Sequence, residues 1–151
     1  RLGAIYDPLR NELFMAESGK GAALNGVSLS VSGTPDLDRS LIATGFPYDK
    51  RESPVNNLDH FQRFALRAQG VRRAGSAALD LAYVAAGRLD GYWELKLSPW
   101  DVAAGVLLVQ EAGGRVTDFS GGEDFIYSGE VVAANAHIQR EMLDTLAEGL
   151  G

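Results

Sequence analysis

Apolar and polar positions change rhythm near residue 57. Before it they alternate in short runs broken by turn residues. Leu2-Gly-Ala-Ile-Tyr6 has the look of a strand interior, Asp7 to Asn11 that of a turn, and Glu12-Leu-Phe-Met-Ala16 that of a return strand. Asn25-Gly26, set between Ala22-Ala-Leu24 and Val27 to Val31, predicts a tight hairpin turn, because both central positions need positive φ. Leu41 to Thr44 is a short buried-type strand ending at Gly45, and Phe46 to Pro54 is a loop. Antiparallel sheet is therefore expected over about 1–45, with a polar segment from Tyr48 to Asn57 as the one flap-like stretch.

Helical spacing takes over from Asn57 to Gln69, with Leu58, Phe61, Phe64, Ala65 and Ala68 on one face. Val71 to Ala74 reads as a strand. Gly75-Ser76 opens a helix from Ala77 to Ala86, closed by Gly87. Leu89 to Leu95 reads as a strand, and Pro99 precedes a helix from Asp101 to Ala112 that Gly113-Gly114 ends. Arg115 to Asp118 and Val131 to Ala134 are further strands. Asn135 suits the N-cap of a last helix, about Ala136 to Glu148, with Ile138, Met142, Leu143 and Leu146 inward. The region of about 55–151 thus alternates strand and helix. The chain is expected to be α/β, mixed α+β, with helices packed on a sheet.

The chain has 151 residues, 46% of them hydrophobic and 23% charged, which suits one globular domain rather than disorder. It has no cysteine. That excludes a disulfide framework, a zinc–thiolate site and a thiol nucleophile, and it fits a cytoplasmic setting. No apolar run approaches a membrane span, and no basic cluster marks a nucleic-acid groove; Arg72-Arg73 is only a pair. Net charge is −6. An acidic surface repels phosphorylated substrates, so a phosphate site here needs local positive charge, most simply bound metal ions.

Several motifs lead nowhere. Asp7-Pro8 reads as a proline turn, Gly19-Lys-Gly21 lacks P-loop spacing, and Ser76 lacks a nucleophile elbow. His60 and His137 stand on separate helices without metal spacing and read as surface or capping residues. Chemistry concentrates between Val71 and Gly114. Pro99-Trp100-Asp101 puts a carboxylate in the first turn of a helix, where the dipole and free N–H groups stabilise it. That position also suits a simple cap, and a single Asp does not make a metal site. Glu94 lies seven residues earlier on a strand, and the short connection can turn both carboxylates to one pocket. Gly75-Ser76-Ala77 opens the preceding helix with small residues that let a ligand approach backbone N–H groups.

The order of these pieces resembles the inositol monophosphatase family. The run Val71-Arg-Arg-Ala-Gly-Ser-Ala-Ala-Leu-Asp80, then Tyr92-Trp-Glu94, Leu97-Ser-Pro-Trp-Asp-Val-Ala-Ala-Gly105 and Glu111-Ala-Gly-Gly114 carries the likeness. Gly3-Ala-Ile-Tyr-Asp-Pro8, Gly19 to Gly26, Ala43 to Tyr48 and Ser128 to Asn135 extend it over essentially the whole chain. The resemblance implies a layered α/β/α/β/α sugar-phosphatase fold, here an incomplete C-terminal part spanning 1–151. It implies that Asp101 is the catalytic Mg²⁺ ligand and that Glu94 binds an inositol hydroxyl. Gly75, Ser76 and Ala77 would line the substrate pocket, with Thr44 and Gly45 at its border. It implies a small phosphate ester as substrate, inositol monophosphate first. Related families act on fructose 1,6-bisphosphate, adenosine 3′,5′-bisphosphate, NADP or histidinol phosphate. A homodimer is implied, and some relatives act through protein contacts with RNA-associated machinery. The family's Asp-Pro-x-Asp-Gly-Thr metal motif is absent, since Asp7-Pro8 continues as Leu9-Arg10-Asn11. The sequence is therefore expected to be a fragment, with an unpaired sheet edge at its first strands and no activity on its own.

Overall fold

A computed structural model of the chain describes residues 1–149. Its first sheet is an antiparallel meander of β1 (Leu2–Asp7), β2 (Glu12–Glu17), β3 (Gly21–Leu24) and β4 (Val27–Ser28), in that spatial order. Phe14 and Ala16 alternate inward along β2 while Leu13 and Met15 stay exposed. The register pairs Ile5 with Phe14 and Ala16 with Ala22. The hairpin turn at Asn25-Gly26 has φ of 48° and 81°, as a turn that matches strand twist requires. Asn25 secures it by accepting from Leu13 N at 2.8 Å and donating to Asn11 O at 3.0 Å. Strand β4 is shorter than its sequence suggests. Leu29 N still donates to Ala22 O in register, but Val31 N donates to Ala112 O at the end of α3, so the chain has left the ladder there to cross towards the helices.

After a 3₁₀ turn at Leu37–Arg39, the second sheet begins with β5 (Leu41–Thr44). It is completed by β6 (Gly70–Arg72), β7 (Gly91–Glu94), β8 (Arg115–Thr117) and β9 (Val131–Ala134), in the order β6-β5-β7-β9-β8. The β6, β5 and β7 strands run parallel; β9 pairs antiparallel with both β7 and β8. Four helices complete the fold: α1 (Leu58–Arg67), α2 (Ala77–Ala85), α3 (Pro99–Glu111) and α4 (Gln139–Ala147).

Burial separates the core into two slabs. In one, Phe14 and Ala16 of the first sheet, Leu81, Val102 and Leu108 of α2 and α3, and Ala43, Tyr92 and Ala133 of the second sheet pack together. In the other, Ile42, Trp93 and Val132 on the opposite face meet Phe64 of α1, Ile138 just before α4, and Met142 and Leu146 of α4. The layers are thus sheet, helix pair, sheet, helix pair, which are four of the five expected. The central strands β5, β7 and β9 are covered on both faces, whereas the edge strands β6 and β8 leave Arg72 and Arg115 exposed.

Small residues set the layer spacing. A Cβ at Gly105 of α3 would stand 2.5 Å from Cβ of Leu81 on α2, and one at Gly3 of β1 would stand 3.2 Å from the Ala104 backbone. The α2 and α3 helices are therefore in backbone-close contact, and the Ala-Ala-Gly run is a packing surface. Glu111, at the end of α3, accepts from Gly19 N and Gly21 N at 2.8 and 2.9 Å. Gly19-Lys-Gly21 is accordingly a turn that grips a helix end with its backbone, and those two hydrogen bonds hold the Glu111 carboxyl below its ordinary pKa. Asp7 closes its turn in a similar way, accepting from Leu9 N and Arg10 N.

A half-buried hub ties the inter-sheet crossing to the second sheet. Asp90 accepts from Ser32 Oγ at 2.6 Å, Thr34 Oγ1 at 2.7 Å and Leu41 N at 2.7 Å. Among the described residues, no helix is long and apolar enough to cross a membrane.

Candidate active site

In an open sheet with parallel strands, the crevice beyond their carboxyl ends is where ligands collect. The carboxyl ends of β6, β5 and β7 point to one edge here, and α2 and α3 begin at that edge. A cleft of about 320 Å³ lies there, lined by Gly45, Gly75, Ser76, Ala77, Glu94 and Asp101 among others. Five residues singled out from the sequence, on three separate elements, therefore share one wall. Gly45, named only as a border, lies against Glu94.

Pro99 is the first residue of α3, two positions earlier than its sequence suggests. Proline lacks an N–H that the first turn would leave unpaired in any case, and its fixed φ suits the helix. Asp101 then falls at the third helical position. Its Oδ2 accepts from Ser98 N at 2.9 Å, which is half of a capping box. The cap and the ligand reading are compatible, because the cap uses one oxygen and Oδ1 stays available on a residue that lines the cleft.

Ser76 caps α2, its Oγ accepting from Leu79 N at 3.3 Å. Its hydroxyl is thus engaged, and what α2 presents to the cleft is the first-turn backbone at Ala77 and Ala78, whose N–H groups have no intrahelical partner. Gly75 takes φ of 95°, a conformation that excludes most side chains.

Glu94 ends β7 and is half-buried. Tyr92 O–H donates to Glu94 Oε2. Burial pushes the Glu94 carboxyl above its ordinary pKa and Asp101 adds to the rise, against the lowering action of Tyr92 and Arg73. Asp80, on α2 and only 2% exposed, is pushed up to about 7, first by burial and then by the charge of Glu94, with Arg73 opposing. The site therefore concentrates negative charge with Arg73 on its rim as counterweight.

No sequence pattern by itself marks Tyr92, Asp80, Arg73, Lys96 or Asn57 as residues of this site. A lone carboxylate inside the apolar run Ala77 to Ala85 was the available signal for Asp80, and Tyr92 shares the strand face of Glu94 by its spacing of two. Lys96 has φ of 60° and donates to Asp49 Oδ2 at 2.7 Å and Ser53 Oγ at 2.9 Å. The Tyr48 to Asn57 segment is thereby anchored at the cleft rim, with its last residue, Asn57, buried. Asn57 Oδ1 accepts from Trp93 Nε1 at 2.8 Å. Trp93 is fully buried; Trp100, on the cleft wall, is 83% exposed. His60, expected at the surface or as a cap, is half-buried. It packs edge-on against Phe119 at 5.5 Å, and its Nδ1 is buried without a partner.

The donors on this wall are oxygens, which suit a hard divalent cation such as Mg²⁺. Among the described residues, no three His, Asp or Glu side chains converge as a metal cluster. Asp101 fits such an ion as one ligand of a larger shell.

A family model described as the inositol monophosphatase family matches residues 1–150. The protein named Nus factor SuhB of Pseudomonas aeruginosa is 50% identical over 146 residues, covering 94% of this chain and 53% of its own length. The inositol-1-monophosphatase of Mesorhizobium japonicum is 48% identical over 148 residues, covering 98% of this chain and 56% of its own length. The structure of inositol monophosphatase from Anabaena superposes with a TM-score of 0.94 at 49% identity, over 97% of this chain and 58% of that one. The chain spans about half the length of the curated relatives it matches.

Proposed function

The chain belongs to the inositol monophosphatase family, and on that footing we propose that the protein is a Mg²⁺-dependent phosphomonoesterase that releases phosphate from inositol monophosphate. One observation supports this most: Glu94, Asp101 and the amino end of α2 line a single cleft. A carboxylate that accepts hydroxyl protons, a carboxylate that holds a cation and a set of free N–H groups are what a polyol phosphate needs.

Asp101 is the residue that would hold Mg²⁺, with water, phosphate oxygens or further carboxylates filling the other positions. When bound, the ion supplies a polarised phosphoryl group and a water of lowered pKa. The Ser98 N–H fixes the Asp101 side chain through Oδ2, so the free oxygen is held in place before any ligand arrives. Glu94 accepts a hydroxyl of the inositol ring and sets its orientation. The N–H groups at the start of α2 favour the negative end of the substrate. The hydrolysis needs no covalent intermediate, so the capping role of Ser76 does not conflict with it.

The test is Mg²⁺-dependent phosphate release from myo-inositol 1-phosphate by the full natural chain. Asp101→Asn should lower activity by at least about 10–100-fold, the range that loss of even a ligand's supporting hydrogen bond costs. Full activity in the variant would remove the metal role. A panel with fructose 1,6-bisphosphate, adenosine 3′,5′-bisphosphate, NADP and histidinol phosphate sets the substrate. A homodimer belongs to the same proposal, with solution mass as its check.

A protein-contact role is the second reading. Its basis is the relative at 50% identity that is named a Nus factor. It becomes the role that matters if Asp101→Asn abolishes hydrolysis and leaves the protein's cellular task intact.

A further inference from the structure

Glu94 is held on two sides by groups that need not touch a substrate. Tyr92, fully buried, lies two residues upstream on β7 and so on the same strand face. Its phenol donates to Glu94 Oε2. On the other side runs the backbone of Gly45, so close that a Cβ there would run into the Glu94 carboxylate. The restriction at Gly45 is therefore one of space.

Gly45 is itself fixed from beneath. Asn57 Nδ2 donates to Gly45 O at 2.7 Å and to Thr44 Oγ1 at 2.9 Å. Thr44 Oγ1 donates to Trp93 O at 2.7 Å, and Trp93 Nε1 donates to Asn57 Oδ1 at 2.8 Å. Asn57, Thr44 and Trp93 are all buried, and this closed circuit ties the end of β5 to the end of β7. Asn57 adopts φ of 73° to complete it. Burial and the neighbouring carboxylate hold the Tyr92 hydroxyl well above its ordinary pKa, so the phenol keeps the proton it donates.

We propose that Tyr92 and Gly45 are specificity-determining positions: they lock the Glu94 carboxylate in one place, so that the cleft accepts a ring hydroxyl at only one position relative to the phosphate. The inference rests on the function proposed above and deepens it. A glutamate with free torsions reaches hydroxyls at many positions and discriminates poorly. One fixed in advance rewards a cyclic polyol phosphate whose hydroxyl is already in register. Tyr92 is a positioning residue, since it acts through Glu94.

The experiment uses the full natural chain with Mg²⁺ and two substrates. Myo-inositol 1-phosphate has ring hydroxyls; p-nitrophenyl phosphate has none. In Tyr92→Phe, the ratio of the two kcat/KM values should fall about tenfold, with the loss carried by KM for the inositol ester, the scale of one misplaced hydrogen bond. Gly45→Ala should lower the same ratio further, because its methyl group displaces the carboxylate. Equal losses on both substrates, or no loss on either, would overturn the proposal. Crystal structures of the parent and of Tyr92→Phe give a readout that needs no turnover. A single Glu94 rotamer in the parent and several in the variant supports the lock; an unchanged rotamer in the variant refutes it. A parent that hydrolyses only p-nitrophenyl phosphate would sink the substrate assignment, and the rotamer comparison would still decide on the lock.

Discussion

Asp80 is the residue with the largest consequence for stability against pH. Burial, with the charge of Glu94 second, pushes its carboxyl up to about 7 in the folded chain, against 3.8 for a free side chain. Between these two values the folded form binds the extra proton, so stability falls as pH rises through the window. Asp80→Asn removes the charge and keeps the shape. At pH 8 in EDTA the variant should be more stable than the wild type by about 1–2 kcal/mol, a shift of roughly 2–8 °C in Tm. The difference should vanish towards pH 4, and denaturation curves at pH 4, 6 and 8 would show it. A wild type and variant with parallel pH profiles would contradict the assignment. At this scale the sequence was informative where a residue's role follows from its neighbours in the chain, as for Asp101 after Pro99. It was silent where the role is a meeting of distant positions. Nothing local to Asn57 announces Trp93, and nothing local to Gly45 announces Glu94.

At the scale of elements, the contact between α2 and α3 carries the cleft. Both helices present their amino ends to it, and their separation is set by Gly105 against Leu81. Gly105→Ala raises intrinsic helix propensity yet forces a methyl group onto the Leu81 side chain. The steric term should win, at about 1–3 kcal/mol, read as a lower urea midpoint with little change in slope. A midpoint at or above that of the parent would mean that the helices separate without cost. Helices were the most legible elements because their apolar spacing is long. Their ends were less so. The α4 helix starts three residues later than expected, because Asn135 Oδ1 caps His137 N and Ile138 N in a turn of its own before the helix begins. In α1 the burial narrows to Phe64, and Leu58 and Ala65 are exposed, since the helix touches the sheet along a strip narrower than its apolar face.

For the molecule as a whole, the described residues hold a cleft lined by two carboxylates, Asp101 and Glu94, to which we assign cation and hydroxyl binding as a proposal. A hard divalent ion usually needs several oxygen ligands besides water. The 151-residue chain by itself is therefore expected to show no Mg²⁺-dependent phosphate release above buffer, in the assay that detects the full natural chain. Robust turnover would show that its own carboxylates suffice. The layered architecture was legible because strand and helix alternate after residue 57. Sheet membership was not. The expected antiparallel region over about 1–45 includes Leu41 to Thr44, which instead runs parallel in the second sheet. A short apolar strand carries no mark of its partners, which lie far along the chain: β6 and β7 flank it, and Asp90, just before β7, accepts from Leu41 N.

The two tryptophans stand in opposite surroundings, one sealed beneath the cleft and bonded to Asn57, the other bare on its wall. The protein thus contains two optical reporters. Trp93, buried, should emit to the blue and report whether the sheet and its circuit are intact. Trp100, exposed, should emit to the red, yield to quenchers and report what enters the cleft, so a quenching titration would follow folding and occupancy in one cuvette without a label.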